Sequence, residues 1–125
     1  MNTRLLLISS AAFLAVLGLV LTFAPAEVLA TDDPRTIVVG QLLGAALCGG
    51  AFLNWMSRGA PMGGIYGRPL AIGNLVHFTV GGLALVKVIR SVEPFWFVTI
   101  MIIGYLLLAV LFAWVAFFTS PSNSR

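Results

Sequence analysis

Four long apolar runs, residues 5–23, 37–56, 70–89 and 95–118, take up most of this 125-residue chain. Each is near or above the roughly 20 residues that a helix needs to cross a bilayer core. Composition agrees, with 60% hydrophobic and 9% charged residues and a mean hydropathy of +1.06. The runs predict an all-α polytopic membrane protein: an antiparallel four-transmembrane-helix bundle forming one domain over residues 1–125. Hinges of about 5 to 13 residues between the runs leave no room within this length for a soluble domain.

The net charge of +3 and a pI near 9.8 would suit a nucleic-acid partner in a soluble protein. Here the basic residues are few and stand at the ends of the runs, the usual flank of membrane spans, so no nucleic acid is expected. The single cysteine, Cys48, lies within the second run. Alone it forms no internal disulfide, CxxC redox pair or zinc site, and it reads as a small buried hydrophobe. No metal and no cofactor is expected. Met1 to Arg4 followed by an apolar stretch resembles a secretory signal, with Val28-Leu29-Ala30 as a peptidase site. The run of about 19 residues exceeds the roughly 7–15 of a signal core, and further spans follow it. The first run is therefore read as a retained helix.

The hinges carry helix-start chemistry. Asp33-Pro34, Arg68-Pro69 and Glu93-Pro94 stand just before the second, third and fourth runs. Proline suits a first helical turn, where its missing N–H has no partner to lose. The acids before two of these prolines suit the positive end of the helix dipole. Pro25 is expected to end the first helix. With the N-terminus inside, Arg4, Arg58, Arg68 and Arg125 face the cytoplasm, and Arg35, Lys87 and Arg90 face outward. Glu27, Asp32, Asp33 and Glu93 then all fall on the outer side. This predicts cytoplasmic N- and C-termini in the inner (plasma) membrane. Trp96 near one interface, and Trp55, Tyr66 and Trp114 near the other, fit the aromatic belt at headgroup depth.

The second run is rich in small residues. At about 100° per residue, Gly40, Gly44, Ala51 and Asn54 share a stripe with Leu47 in its middle. Cys48 extends the GxxxG spacing of Gly40 and Gly44 by another four residues. Small residues let helix backbones approach closely in lipid, where packing and hydrogen bonds replace the hydrophobic drive. Gly40, Gly44, Cys48 and Ala51 are therefore candidate helix-packing residues, against another helix of the chain or a second copy. Ala45, Ala46, Gly49 and Gly50 lie off the stripe, which predicts contacts on a further side.

Polar side chains inside a membrane are costly and raise a functional question. Those in the runs include Gln41, Asn54, Asn74, His77 and Lys87. Lys87 can snorkel to the interface, and Gln41 stands about a turn from the start of its helix. Asn74 and His77 lie three apart on one face, which Gly81 and Ala84 continue. With both termini inside, Asn54, Arg58, Tyr66, Arg68, Asn74 and His77 gather toward the cytoplasmic half and are the candidate ligand-binding residues. Three readings compete for them. The preferred one is hydrogen bonding between helices, worth roughly 0.6 to 2 kcal/mol each. The others are a pocket for a lipid headgroup or small ligand with Arg58 and Arg68 at its mouth, and proton or ion handling by His77.

No catalytic residue is assigned. One histidine cannot supply a bis-histidine haem within the chain. None of the four acids lies inside a run, where carboxylate-driven antiport would need one. HExxH chemistry is absent, Ser9 and Ser10 have no base on their own helix, and the glycine-rich turn at 63–67 follows no strand as a phosphate loop would.

Several short features together span most of the chain: Leu17-Gly18-Leu19 with Pro25, Gln41 with Gly44, Asn54-Trp55, and Tyr66-Gly67-Arg68-Pro69-Leu70 leading to Asn74 and His77. In this layout the chain resembles small bacterial four-span membrane proteins of uncharacterised function, DoxX-like in general plan. The resemblance implies the architecture and an inner-membrane location, and no activity. No cysteine pair accompanies it, so no redox role is carried over. The expected function is a non-enzymatic accessory subunit or interaction partner in a membrane assembly, touching the bilayer and other subunits or a second copy. One alternative is a small transporter or permease with a polar site at Asn54, Asn74 and His77. A second is a lipid-acting enzyme centred on His77.

Overall fold

The computed structural model describes residues 2–62, 64–89, 91 and 95–118. The chain is helical: α1 (Thr3–Phe23), α2 (Pro25–Leu29), α3 (Pro34–Met56), α4 (Gly67–Val88) and α5 (Phe95–Phe118). No strand occurs among the described residues. The four long helices are apolar enough to cross a membrane. A hydrocarbon core offers no water to backbone N–H and C=O groups, so a single apolar run must bond them internally, as a helix does.

Local chemistry sets the helix ends. The Asn2 side-chain oxygen accepts from the backbone N–H groups of Arg4 and Leu5, satisfying donors that a first turn leaves open. Pro25 does more than end the first helix. α1 is capped at Ala24 and Pro25 opens the short α2, because proline cannot continue a ladder but fits a first helical position. α2 closes on Ala30, whose φ of 48° is left-handed, a region that residues with a side chain seldom adopt.

Asp33 caps α3, accepting from the Thr36 hydroxyl at 2.6 Å and the Thr36 backbone N–H at 2.9 Å, with Pro34 in the first turn. These bonds, the hydroxyl first, hold the Asp33 carboxyl below its ordinary range. α4 begins at Gly67, earlier than the apolar run at 70, so Arg68 and Pro69 lie inside its first turn. A Cβ on Gly67 would strike the Pro61 carbonyl and the Met62 backbone, so the approach there requires glycine. Glu93-Pro94, expected to open the fourth helix, lies outside the described residues, as do Arg90 and Arg125.

The chain forms two compact units, Met1–Gly59 and Ala60–Arg125. In the first, α1 and α3 pack antiparallel. α1 buries Leu7, Ser10, Ala11, Leu14 and Gly18, and α3 buries Gly40, Gly44, Leu47, Ala51 and Asn54. Spacings of three and four put each set on one helix face. The backbones come closest at Gly18 and Gly44. A Cβ on Gly18 would lie 2.6 Å from Cys48 Sγ and 2.8 Å from the Gly44 carbonyl oxygen. On Gly44 it would lie 2.5 Å from Thr22 Oγ1 and 2.7 Å from the Gly18 carbonyl oxygen. Neither position has space for a side chain. The Thr22 hydroxyl turns back to donate to the Gly18 carbonyl at 2.7 Å. Gly40 instead faces α2, where a Cβ would lie 2.7 Å from Leu29 Cδ1.

In the second unit, α4 and α5 pack antiparallel through rings. α4 buries Gly67, Ala71, Asn74, Phe78 and Gly82. A Cβ on Gly81 would lie 2.5 Å from Tyr105 Cε1, and one on Gly82 would lie 2.9 Å from Leu106 Cδ2. The fully buried Phe78 and Phe112 stack with centroids 5.7 Å apart, and Phe78 meets Tyr105 edge-on at 5.4 Å.

Candidate functional site

The polar candidates divide between the units. Asn54 and Arg58 belong to the first. The Asn54 amide nitrogen donates to Ser10 Oγ at 3.0 Å, and the Ser10 hydroxyl donates in turn to the Leu7 carbonyl at 3.0 Å. Both side chains are buried, so this bond ties α3 to α1 from inside their seam. Arg58 follows α3. Its Nη1 donates to the Trp55 carbonyl at 2.6 Å, and its guanidinium carbon stands 4.3 Å from the centre of the Trp55 ring. That carbonyl, in the last turn of α3, also accepts from the Arg58 backbone N–H at 3.4 Å, and the charge lies over the electron-rich ring face.

Tyr66, Arg68, Asn74 and His77 belong to the second unit. Tyr66 is exposed just before α4 and makes no side-chain cap bond. Arg68 is exposed in the first turn of α4. Asn74 is buried, and its amide nitrogen donates to the Leu70 carbonyl of its own helix at 3.0 Å. The half-buried His77 ring lies 5.0 Å from Phe78 and 5.6 Å from Tyr105 of α5. Its Nε2 is buried and has no hydrogen-bond partner among the described residues. His77 therefore meets the neighbouring helix through its ring, where a hydrogen bond was expected, because Gly81 one turn on seats an aromatic ring there. Ala84 is exposed. The buried line of α4 runs through Asn74, Phe78 and Gly82, to one side of the face expected from Asn74, His77, Gly81 and Ala84.

Of the helix-packing candidates, Gly40, Gly44 and Ala51 are buried and Cys48 is a half-buried free thiol. Gly44 and Cys48 lie against α1 of the same chain. Off that seam, Ala45, Ala46 and Gly49 are exposed, and a Cβ on Gly49 would meet nothing within 4 Å. Gly50 is half-buried and faces Leu14.

Sequence reasoning missed Ser10, Phe78 and Tyr105 as neighbours of the polar candidates. Ser10 carried a signal, since it shares one helical face with Leu7, Leu14 and Gly18. Tyr105 carried none, because a ring in an apolar helix suits lipid and protein equally. Among the described residues no group of His, Cys, Asp or Glu is gathered to hold a metal ion.

Apolar helices of span length in both units define a multi-pass membrane protein. No protein-family model, no curated protein and no solved structure matches the chain.

Proposed function

We propose that this protein is a non-enzymatic subunit or interaction partner in a larger membrane assembly. The observation that carries this reading is how the polar side chains within the spans are used. Asn54 bonds to Ser10 across α1 and α3, and Asn74 bonds to the Leu70 carbonyl of its own helix. Intramembrane polar groups that mark a substrate path converge on a cavity; these two bonds join helices or a turn within a helix. The outer side of α3 supports the partner half of the reading. Ala45, Ala46 and Gly49 are exposed there, opposite the buried stripe at about 100° per residue. Small residues in that position let another membrane helix come close.

The DoxX-like layout supports an inner-membrane location, and the distribution of arginines supports cytoplasmic termini. Reporter fusions at Ser122 and within the 59–67 turn are expected to report the same, cytoplasmic side. Opposite sides would overturn that orientation.

The function is tested by cross-linking in native membranes, mild extraction and native mass spectrometry. A second membrane protein at fixed stoichiometry is expected, lost in Gly49→Leu while the unfolding of the chain itself is unchanged. Recovery of this chain only by itself would overturn the reading.

One observation favours a second reading, a small transporter or lipid-acting enzyme centred on His77: its buried Nε2 has no hydrogen-bond partner among the described residues. A proton or solute flux in proteoliposomes that His77→Gln abolishes would establish it. Absence of flux from the wild-type chain would end the transport form.

A further inference from the structure

The seam between α1 and α3 opens on one side into a groove of about 340 Å³. Its floor is small: Ala11, Ala15, Cys48 and Ala51. Its flanks are large: Leu19, Phe52 and Trp55. The glycine contact at Gly18 and Gly44 draws the two backbones together, and the alanines beside it are too short to fill the space that remains.

The shape of this groove limits what it can hold. From Ile8 to Leu19 it follows α1 for about 16 Å, at 1.5 Å per residue. A hydrocarbon core is about 30 Å thick, so the groove is about half as long as the core is thick. Its volume is at the lower end of the roughly 300–1,000 Å³ of ligand sites, and spread over about 16 Å of α1 it is much slimmer than a helix about 10 Å across. A single alkyl chain fits.

Charge then selects the headgroup. Trp55 lines the groove, and the Arg58 guanidinium rests on its ring at 4.3 Å. One of the guanidinium donors goes to the Trp55 carbonyl; an arginine has five. Arg4, in the first turn of α1, is exposed at the same end of the antiparallel pair. The acids of this unit, Glu27, Asp32 and Asp33, all lie at its other end, in α2 and the turn after it. The interfacial end nearest Trp55 is therefore cationic without a neutralising acid. Guanidinium groups match phosphate oxygens in geometry as well as in charge.

We propose that this groove binds an anionic phospholipid, with one acyl chain laid between α1 and α3 and the phosphate held by Arg58 and Arg4. A zwitterionic lipid offers the same chain and phosphate, but its ammonium group is repelled by the same arginines. The site goes beyond the partner reading above and does not depend on it.

The test uses Trp55 as its reporter. The chain has three tryptophans; Trp96 and Trp114 are exposed in the second unit and are replaced by Phe. The full chain is reconstituted in bilayers containing equal mole fractions of phosphatidylglycerol and phosphatidylcholine, with bromine on the acyl chains of one or the other. Quenching of Trp55 by the brominated anionic lipid is expected to report an association about 25-fold tighter than for the zwitterionic lipid, a factor of about five for each of the two interfacial arginines. The preference should weaken about fivefold in Arg58→Gln, which lies outside the helices, and vanish when Arg4→Gln is added. It should also vanish in Ala12→Leu, an exposed groove position, where the added side chain fills the space without entering the buried seam. Equal quenching by both lipids in the parent chain would overturn the proposal. So would a preference that survives Ala12→Leu, since headgroup attraction alone would then account for it.

Discussion

In the α1–α3 pair, Gly18 and Gly44 remove side chains so that backbone meets backbone, and a buried Asn54–Ser10 hydrogen bond crosses the same seam. In the α4–α5 pair, Gly81 and Gly82 instead make room for the side chains of Tyr105 and Leu106, and the contact spreads through stacked rings. Both are solutions to one problem. Lipid is as apolar as the helices it surrounds, so helix pairing depends on contact density and hydrogen bonds. The first pair gains density by bringing its axes together, the second by filling the gap with rings. The two should differ in what they tolerate, because a backbone cannot move aside and a ring can.

The largest effect should come from Gly44→Leu. Its side chain would meet the Gly18 carbonyl and the Thr22 backbone, and overpacking against backbone is expected to cost about 3 kcal/mol. Reversible unfolding in mixed micelles measures this. The nearest atoms that Gly81→Ala meets belong to the Tyr105 ring. A cost of about 1–2 kcal/mol from crowding is offset by about 1 kcal/mol of helix propensity, so the net change should stay within about 1 kcal/mol. Equal losses in the two variants would break the distinction between the pairs.

Next is the Asn54–Ser10 bond. A double-mutant cycle with Asn54→Ala and Ser10→Ala should give a coupling of about 0.6–1.7 kcal/mol, the range of interhelical bonds in membranes. Zero coupling would mean that glycine contact alone holds α1 to α3.

His77→Phe should be neutral, or stabilising by up to about 1 kcal/mol. It keeps the ring contacts with Phe78 and Tyr105 and removes a buried nitrogen that has no partner among the described residues, a group that is costly to bury. A clear loss of stability in the same unfolding measurement would show that Nε2 is bonded in the membrane.

The smallest effect concerns helix starts. Asp33, bonded to the Thr36 hydroxyl and backbone N–H, has its carboxyl held below the ordinary value. A lowered pKa in the folded state contributes stability above the ordinary value near 3.9, and that contribution is lost as pH falls through the lowered value. Amide exchange at the start of α3 should therefore rise only below about pH 4, and Asp33→Asn should remove this dependence. α4 has no side-chain cap at Tyr66, so its start should show no such transition. Matching acid profiles at the two starts would contradict the caps described for them.

Much of the architecture was legible because it is local. Run length gives four spans, since a backbone in lipid must bond itself. Asp33-Pro34 marks the start of α3, since proline has no N–H to lose and aspartate can accept two bonds there. The stripe of Gly40, Gly44 and Ala51 follows from helical geometry alone. The start of α4 was less legible. Gly67 begins the helix ahead of the apolar run because its backbone passes over Pro61 and Met62, a contact that no local pattern announces.

Of the candidate polar residues, the sequence by itself determined which were costly to place in a membrane: Asn54, Asn74 and His77. Only the tertiary structure decided what each one meets. Asn54 finds Ser10, Asn74 finds the carbonyl of Leu70, and His77 finds the ring of Tyr105. It also decided that the α3 stripe meets α1, and that the buried line of α4 runs through Phe78 and Gly82. The reason is the solvent. In water, an apolar residue on a helix points to the core and so reveals its partner's side. In lipid, the outer face and the seam are equally apolar, so periodicity shows where a helix is narrow or polar, and only the packed structure shows what fills that face.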